Sequence, residues 1–182
     1  MNALVINCSP VRNGATAWIT SFIADRLKEK EIFDSVSETC IDDYRFSFCC
    51  GCRVCHSTAA CVQHDDVSLL MSRFDRADVL VFVSPSYWAD VPAQFKAFID
   101  RCTPWCNTHE PHAKLVAGKK GYTIALRTGP GVHECERIVS TIEHFYGHLE
   151  IESSGSLCLT CIENRDDAKK RTAEIKVFCS NI

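Results

Sequence analysis

The sequence predicts an α/β fold in which a parallel sheet is covered by helices on both faces. Three observations carry that expectation. Short apolar runs alternate about five times with stretches of helical periodicity. The clearest run, Asp78–Ser84, is apolar on both faces, as central parallel strands are. The chain has 182 residues, 46% apolar and 24% charged, which suits one ordinary globular domain with a real core. No repeat, low-complexity tract or linker divides it, so residues 1–182 read as a single unit.

The elements follow in order. Ala3–Asn7 (ALVIN) is a buried first strand, and Ala15–Lys30 a helix with Trp18, Ile19, Phe22, Ile23 and Leu27 at helical spacing. Phe33–Thr39 is a weaker second strand, followed by a cysteine-rich loop at about residues 40–66. Val67, Leu70, Met71 and Phe74 mark one face of a short helix that begins near Asp65 or Asp66, whose carboxylates suit a helix start. After the central strand, Pro92 suits the first turn of a helix carrying Phe95, Phe98, Ile99 and Cys102. Gly121–Thr128 is the fourth strand, and Cys135, Ile138, Val139, Ile142, Phe145 and Tyr146 line the next helix. A strand between Leu149 and Leu159 and a helix over Arg165–Cys179 complete the pattern.

Composition excludes several function classes. A formal charge of −3 with no basic run argues against nucleic acid. No apolar stretch reaches the roughly 18 residues that span a membrane. Met1–Ile6 enters an apolar run with no preceding basic segment, unlike a signal peptide, so a cytoplasmic location is expected. In a reducing compartment the 13 cysteines are poor disulfide candidates, and clustered ones point to metal or redox chemistry.

In a parallel sheet, ligands sit beyond the carboxyl ends of the strands. Three loops fall there: Cys8–Thr16, Pro85–Val91 and Arg127–Glu134. The first offers the Ser9 and Thr16 hydroxyls, the Asn13 amide, the Arg12 cation and the amides of a helix start, which together suit an anion. A plain capping loop would use similar residues. The loop lacks the Walker pattern and carries only Gly14 where a dinucleotide fingerprint needs three glycines. Cys8 lacks the arginine six residues on that a C-x5-R nucleophile requires, since Gly14 stands there. Tyr87 and Trp88 project from the second loop, and Gly129 and Gly131 let backbone approach a ligand in the third. Core packing, a subunit contact and an ordinary Gly-Pro turn are the plainer readings of these two loops.

The run CCGCRVCHSTAAC places Cys49, Cys52, Cys55 and Cys61 in the spacing C-x2-C-x2-C-x5-C. Two short steps curl a loop so that three sulfurs point inward, and a longer return brings a fourth. By spacing, an iron–sulfur cluster, zinc, a disulfide and idle thiols all remain open. Cys50 stands outside the pattern, and His56 and His64 read as surface residues.

In order along the chain come S-P-x-x-N-G-x-T, C-x-G-C-x-x-C-x5-C, D-D and the block S-P-x-Y-W-x-x-V-P-A-x-x-K-x-F-I-D-R from Ser84 to Arg101. Together they resemble the NADPH-dependent FMN reductase-like flavoproteins, and among these the iron–sulfur flavoproteins. The likeness runs from Ala3 to about Thr128. It implies a flavodoxin-like doubly wound fold with five parallel strands in the order 2-1-3-4-5 and a cysteine-rich insertion after strand 2. It implies one FMN, its phosphate held by Ser9, Arg12, Asn13, Ala15 and Thr16, several through backbone amides. Pro85, Ser86, Tyr87 and Trp88 would wrap the isoalloxazine, with Thr128 and Gly129 at its other edge. Cys49, Cys52, Cys55 and Cys61 would ligate a 4Fe–4S cluster. Cys8, Val11 and Ala15 depart from the usual pattern, but backbone donors survive those changes.

The implied function is a redox flavoprotein. It would pass electrons between FMN and a small acceptor, with NAD(P)H or a ferredoxin as donor, and it would assemble as a homodimer or homotetramer. No side chain is nominated as a catalytic acid or base. Two alternatives remain: a cluster-free NAD(P)H:FMN or quinone reductase, and a non-enzymatic electron carrier or redox sensor.

Overall fold

The computed structural model describes residues 1–182. Five parallel strands form one sheet in the order β2-β1-β3-β4-β5. They are β1 (Asn2–Asn7), β2 (Ser35–Cys40), β3 (Val79–Pro85), β4 (Lys120–Leu126) and β5 (Glu152–Leu159). This is the flavodoxin-like order. The helices are α1 (Ala15–Lys28), α2 (Cys55–Thr58), α3 (Val67–Arg76), α4 (Ala93–Arg101), α5 (His133–His148), α6 (Arg165–Lys170) and α7 (Thr172–Ser180).

Alternation along the central strands divides the core. Leu4, Ile6, Leu80 and Phe82 face α3, α4 and α5, where Phe74, Phe95, Phe98, Ile142 and Phe145 meet them. Ala3, Val5, Val79, Val81 and Val83 face α1 and α7, against Ile19, Ile23, Leu27, Ile175 and Phe178. Phe82 is the hub of the first side, with the rings of Phe95, Tyr146 and Phe74 centred 5.2, 5.4 and 5.6 Å away. Truncating so enclosed a ring to alanine costs about 3–5 kcal/mol. Gly121 is required by a close approach: a Cβ there would fall 2.6 Å from the ring of Tyr146. That ring is fixed in turn by its hydroxyl, which donates to the Tyr122 carbonyl at 2.9 Å.

Where the structure departs from the sequence pattern, local physics gives the reason. β2 is an edge strand with one neighbour, so most of its side chains meet water and its apolar signal is weak. Pro92 is the residue before α4, with extended backbone, and the helix begins at Ala93. The helix expected over Arg165–Cys179 is two helices that meet at Arg171, where the guanidinium turns back to the Thr160 carbonyl at 2.9 Å. β1 and β3 run in register from Ala3 beside Val79 to Asn7 beside Val83, so their outgoing loops leave side by side.

Candidate functional site

The first loop is shaped by hydrogen bonds it makes to itself. The Cys8 amide donates to Val83 O at 2.9 Å, extending the β1–β3 ladder by one step. The Ser9 amide then donates to Asn7 Oδ1 at 3.0 Å, and the Val11 amide to Ser9 Oγ at 3.1 Å. These turns lead the chain into α1 with Gly14 as the residue before the helix, which offers no side-chain cap. The amides of Ala15, Thr16 and Ala17 therefore donate to no protein group, and the first turn of α1 carries no acidic residue. Unsatisfied donors at a positive helix end fit a phosphate. Ser9 and Thr16 are buried beside them, Ala15 is half-buried and Asn13 is exposed. Cys8 is fully buried and its thiol is pushed well up by that burial, so it stays neutral.

Arg12, which the resemblance places on the phosphate, is engaged elsewhere. Its guanidinium reaches Asp43 Oδ1 at 2.6 Å, Asp42 Oδ2 at 3.1 Å and the Asp42 carbonyl at 3.0 Å. Burial works to raise the Asp43 carboxyl, but the Cys40 amide and then Arg12 outweigh it and hold the group below its usual range. The link ties the first loop to the start of the cysteine segment.

The second loop is a two-residue hairpin. Tyr87 N donates to Asp90 O at 2.8 Å and Asp90 N to Tyr87 O at 3.1 Å. Trp88 and Ala89 between them have φ of 54° and 60°. Left-handed backbone at two successive non-glycine residues suits a type I′ turn, which ordinarily takes Asn-Gly. The turn holds Tyr87 out at 42% exposure and Trp88 fully in solvent. Neither packs in the core. Pro85 and Ser86 are half-buried at the strand end, and the Ser86 amide donates to Leu126 O at 2.7 Å.

Glu134, in the first turn of α5, joins the second loop to the third. It accepts from Ser86 Oγ at 2.7 Å and pairs with Arg127 at 3.2 Å, while Arg127 Nη1 donates to Gly131 O at 2.9 Å. The Ser86 hydroxyl is thus engaged within the protein. Thr128 is exposed and Gly129 half-buried on the same rim. Because β1, β3 and β4 are adjacent, all three loops share one edge. Glu134 was not singled out by the sequence, where an acid in a first helical turn reads as helix chemistry.

The cysteine loop is a separate construction. Gly51, Arg53 and Ala59 adopt left-handed φ of 67°, 59° and 53°, and the last of these ends the short α2. These reversals bring Cys49, Cys52, Cys55 and Cys61 around one cavity of about 30 Å³. Burial raises the Cys55 thiol, and Cys61, Cys52 and Cys49 add to that in turn. Cys50 lines the same cavity, its thiol made more acidic first by the Cys52 amide and then by the Cys52 thiol.

Arg101 lies against this cavity and pins both ends of the loop. It donates to Ser47 O at 2.7 Å, to Gln63 Oε1 at 2.9 Å, and in a fork to Asp65 at 2.7 and 3.0 Å. No set of three or more Cys, His, Asp or Glu closes on one point to coordinate a single ion. A four-iron cluster holds its thiolates on separate metals, hence farther apart, and the all-sulfur donor set fits it.

No helix is long and apolar enough to cross a membrane. Among curated proteins, an iron–sulfur flavoprotein of Archaeoglobus fulgidus is 35% identical over 134 residues, covering 74% of this chain and 58% of that protein. An iron–sulfur flavoprotein of Clostridioides difficile is 30% identical over 98 residues, 53% of this chain and 44% of its own. The chain spans about half the length of these relatives. Among solved structures, an FMN-dependent NADH-azoreductase of Bacillus anthracis in complex with FMN superposes with a TM-score of 0.70 at 12% identity, covering 98% of this chain and 97% of the other. Residues 1–156 match the profile of NADPH-dependent FMN reductases. The chain belongs to the NADPH-dependent FMN reductase family.

Proposed function

We propose that this protein is an FMN-dependent oxidoreductase with a second redox centre, a 4Fe–4S cluster, on its cysteine loop. The observation that carries the second half is the cavity on which Cys49, Cys52, Cys55 and Cys61 converge beside a buried arginine. The iron–sulfur flavoproteins it resembles support the same reading.

Bound FMN supplies one- and two-electron chemistry, and the cluster one-electron chemistry. The chain's own residues bind and orient. The amides of Ala15 and Thr16, with Ser9, Asn13 and Thr16 side chains, hold the phosphate. Arg12 acts with Asp42 and Asp43 as a tether of the phosphate loop. Pro85–Trp88 supply one wall for the flavin ring and Thr128–Gly129 the rim opposite. Glu134 sets the spacing of those walls through Ser86 and Arg127.

NAD(P)H, as the family description indicates, is the donor to the flavin, with a ferredoxin as donor to the cluster and a small molecule as acceptor. Tyr87 and Trp88 stand free enough to complete the site across a homodimer or homotetramer contact. The test is anaerobic purification followed by flavin, iron and acid-labile sulfide assays, with reduction by NADPH and NADH followed spectrally. Roughly four irons and one FMN per chain are expected. Flavin without iron removes the second centre. Failure of both nicotinamides to reduce bound flavin removes the NAD(P)H assignment.

A further inference from the structure

Arg101 ends α4 with its side chain only 1% exposed. A buried guanidinium is tolerated when its charge and its donors are met. The two terminal nitrogens are met by oxygen, from Asp65, Ser47 and Gln63. Nε differs: it is buried and donates to nothing. The side chain lines the cavity of the four cysteines, and the fork on Asp65 fixes the plane of the guanidinium, so Nε cannot swing away to find water. Burial acts to lower the Arg101 pKa, but Asp65 and then Cys61 outweigh it and keep the group charged.

We propose that Arg101 Nε–H donates to sulfur at Cys61, and that the Arg101–Asp65 pair sets the reduction potential of the centre held by Cys49–Cys61. The inference rests on the cluster reading above. A one-electron reduction adds negative charge to the cluster. A desolvated cation and an N–H on a ligand sulfur both stabilise that added charge. Asp65, on the far side of the same guanidinium, opposes it. The arrangement therefore has a sign. Arg101→Gln leaves a lone carboxylate near the cluster and disfavours reduction. Asp65→Asn leaves an unneutralised guanidinium and favours it. An arginine that merely pinned the loop would give both variants the same defect, a loosened loop and lost iron.

The experiment is an anaerobic redox titration of the purified holoprotein. The cluster spectrum is followed after iron, FMN and far-ultraviolet circular dichroism have been matched to wild type. Arg101→Gln is expected to shift the reduction equilibrium about tenfold toward the oxidised state, ~59 mV for one electron. Asp65→Asn is expected to shift it about as far the other way. Arg101→Lys keeps a charge without Nε–H and should fall between wild type and Arg101→Gln; if the glutamine variant does not fold, the lysine and Asp65→Asn variants still give the two signs. Shifts of the same sign, or under about twofold in both at wild-type iron content, overturn the inference alone. A wild-type chain that takes up no iron on reconstitution with iron and sulfide overturns the cluster reading and this inference with it.

Discussion

The loop after the first strand and the cysteine loop are built from opposite materials. Residues 8–16 work through backbone: the Cys8 amide continues a strand ladder, and the donors on offer are peptide N–H groups at an uncapped helix end. Residues 49–61 work through side chains: sulfurs face a cavity, and an arginine anchored by Asp65 and Gln63 holds the loop's ends. A site made of amides survives exchange of its side chains so long as no negative charge is added. A site made of thiols tolerates surface changes but not the loss of one sulfur. The departures from the resembled pattern, Cys8, Val11 and Ala15, are side-chain changes in a loop whose free donors are backbone amides.

The largest expected effect separates the two constructions. Cys52→Ser should lose nearly all iron while FMN affinity changes by less than about threefold, under ~0.7 kcal/mol. Cys50→Ser should keep both, although Cys50 faces the same cavity. Iron and flavin contents of the two variants check this. Iron retained by Cys52→Ser, or lost by Cys50→Ser, would falsify the assignment of the four ligands.

The next effect probes the amide site. Ala15→Glu brings a carboxylate to the first turn of α1, which has none. FMN should bind about ten- to a hundredfold more weakly, ~1.4–2.8 kcal/mol, because phosphate and carboxylate compete for the same helix end. Riboflavin, which lacks the phosphate, should be unaffected. Ala15→Ser should change FMN binding by less than about threefold. Titration by quenching of flavin fluorescence measures all of these, and an equal loss for riboflavin would show that the loop does not hold a phosphate.

What the sequence made legible follows the same division. The alternation of strands and helices, the three edge loops and the helix end came through because they rest on local periodicity and turn chemistry; the strand order came from the family resemblance. Partners distant in the chain did not come through. Arg12 pairs with Asp42 and Asp43, some thirty residues on, a link that no local pattern records. Arg101 reads as the end of an amphipathic helix, since nothing local says that Asp65 and Gln63 will enclose it. Glu134 reads as a favourable acid at a helix start until Ser86 arrives from another loop. At the break, the Arg171 guanidinium donates to a carbonyl eleven residues earlier, a contact that no helical pattern records.

Glu134 gives a smaller effect on the backbone-built edge. Glu134→Gln keeps an acceptor for Ser86 Oγ but removes the charge partner of Arg127 and the favourable charge at the start of α5. A loss of about 1 kcal/mol in stability is expected by urea unfolding, since the pair is partly solvated. FMN affinity should fall about two- to fivefold, up to ~1 kcal/mol, because the two walls lose their tie. A flavin loss above about a hundredfold would make Glu134 a direct ligand instead.

The smallest effect concerns the hairpin tip. Ala89 has φ of 60° between Trp88 and Asp90, a conformation in which a Cβ costs roughly 1–2 kcal/mol. Glycine there removes that strain, while its freer unfolded chain takes back about 0.5–1 kcal/mol. Ala89→Gly should therefore stabilise the protein by a net of about 0.5–1 kcal/mol, read as a higher urea midpoint at unchanged slope. Flavin binding tells whether the strain has a use. If the tight turn exists to hold Trp88 in place, glycine at the next residue preserves the hairpin, and FMN affinity should stay within about twofold. A stabilised variant that binds FMN much more weakly would show that stiffness at this one tip, and not the amide-built edge as a whole, positions the ring.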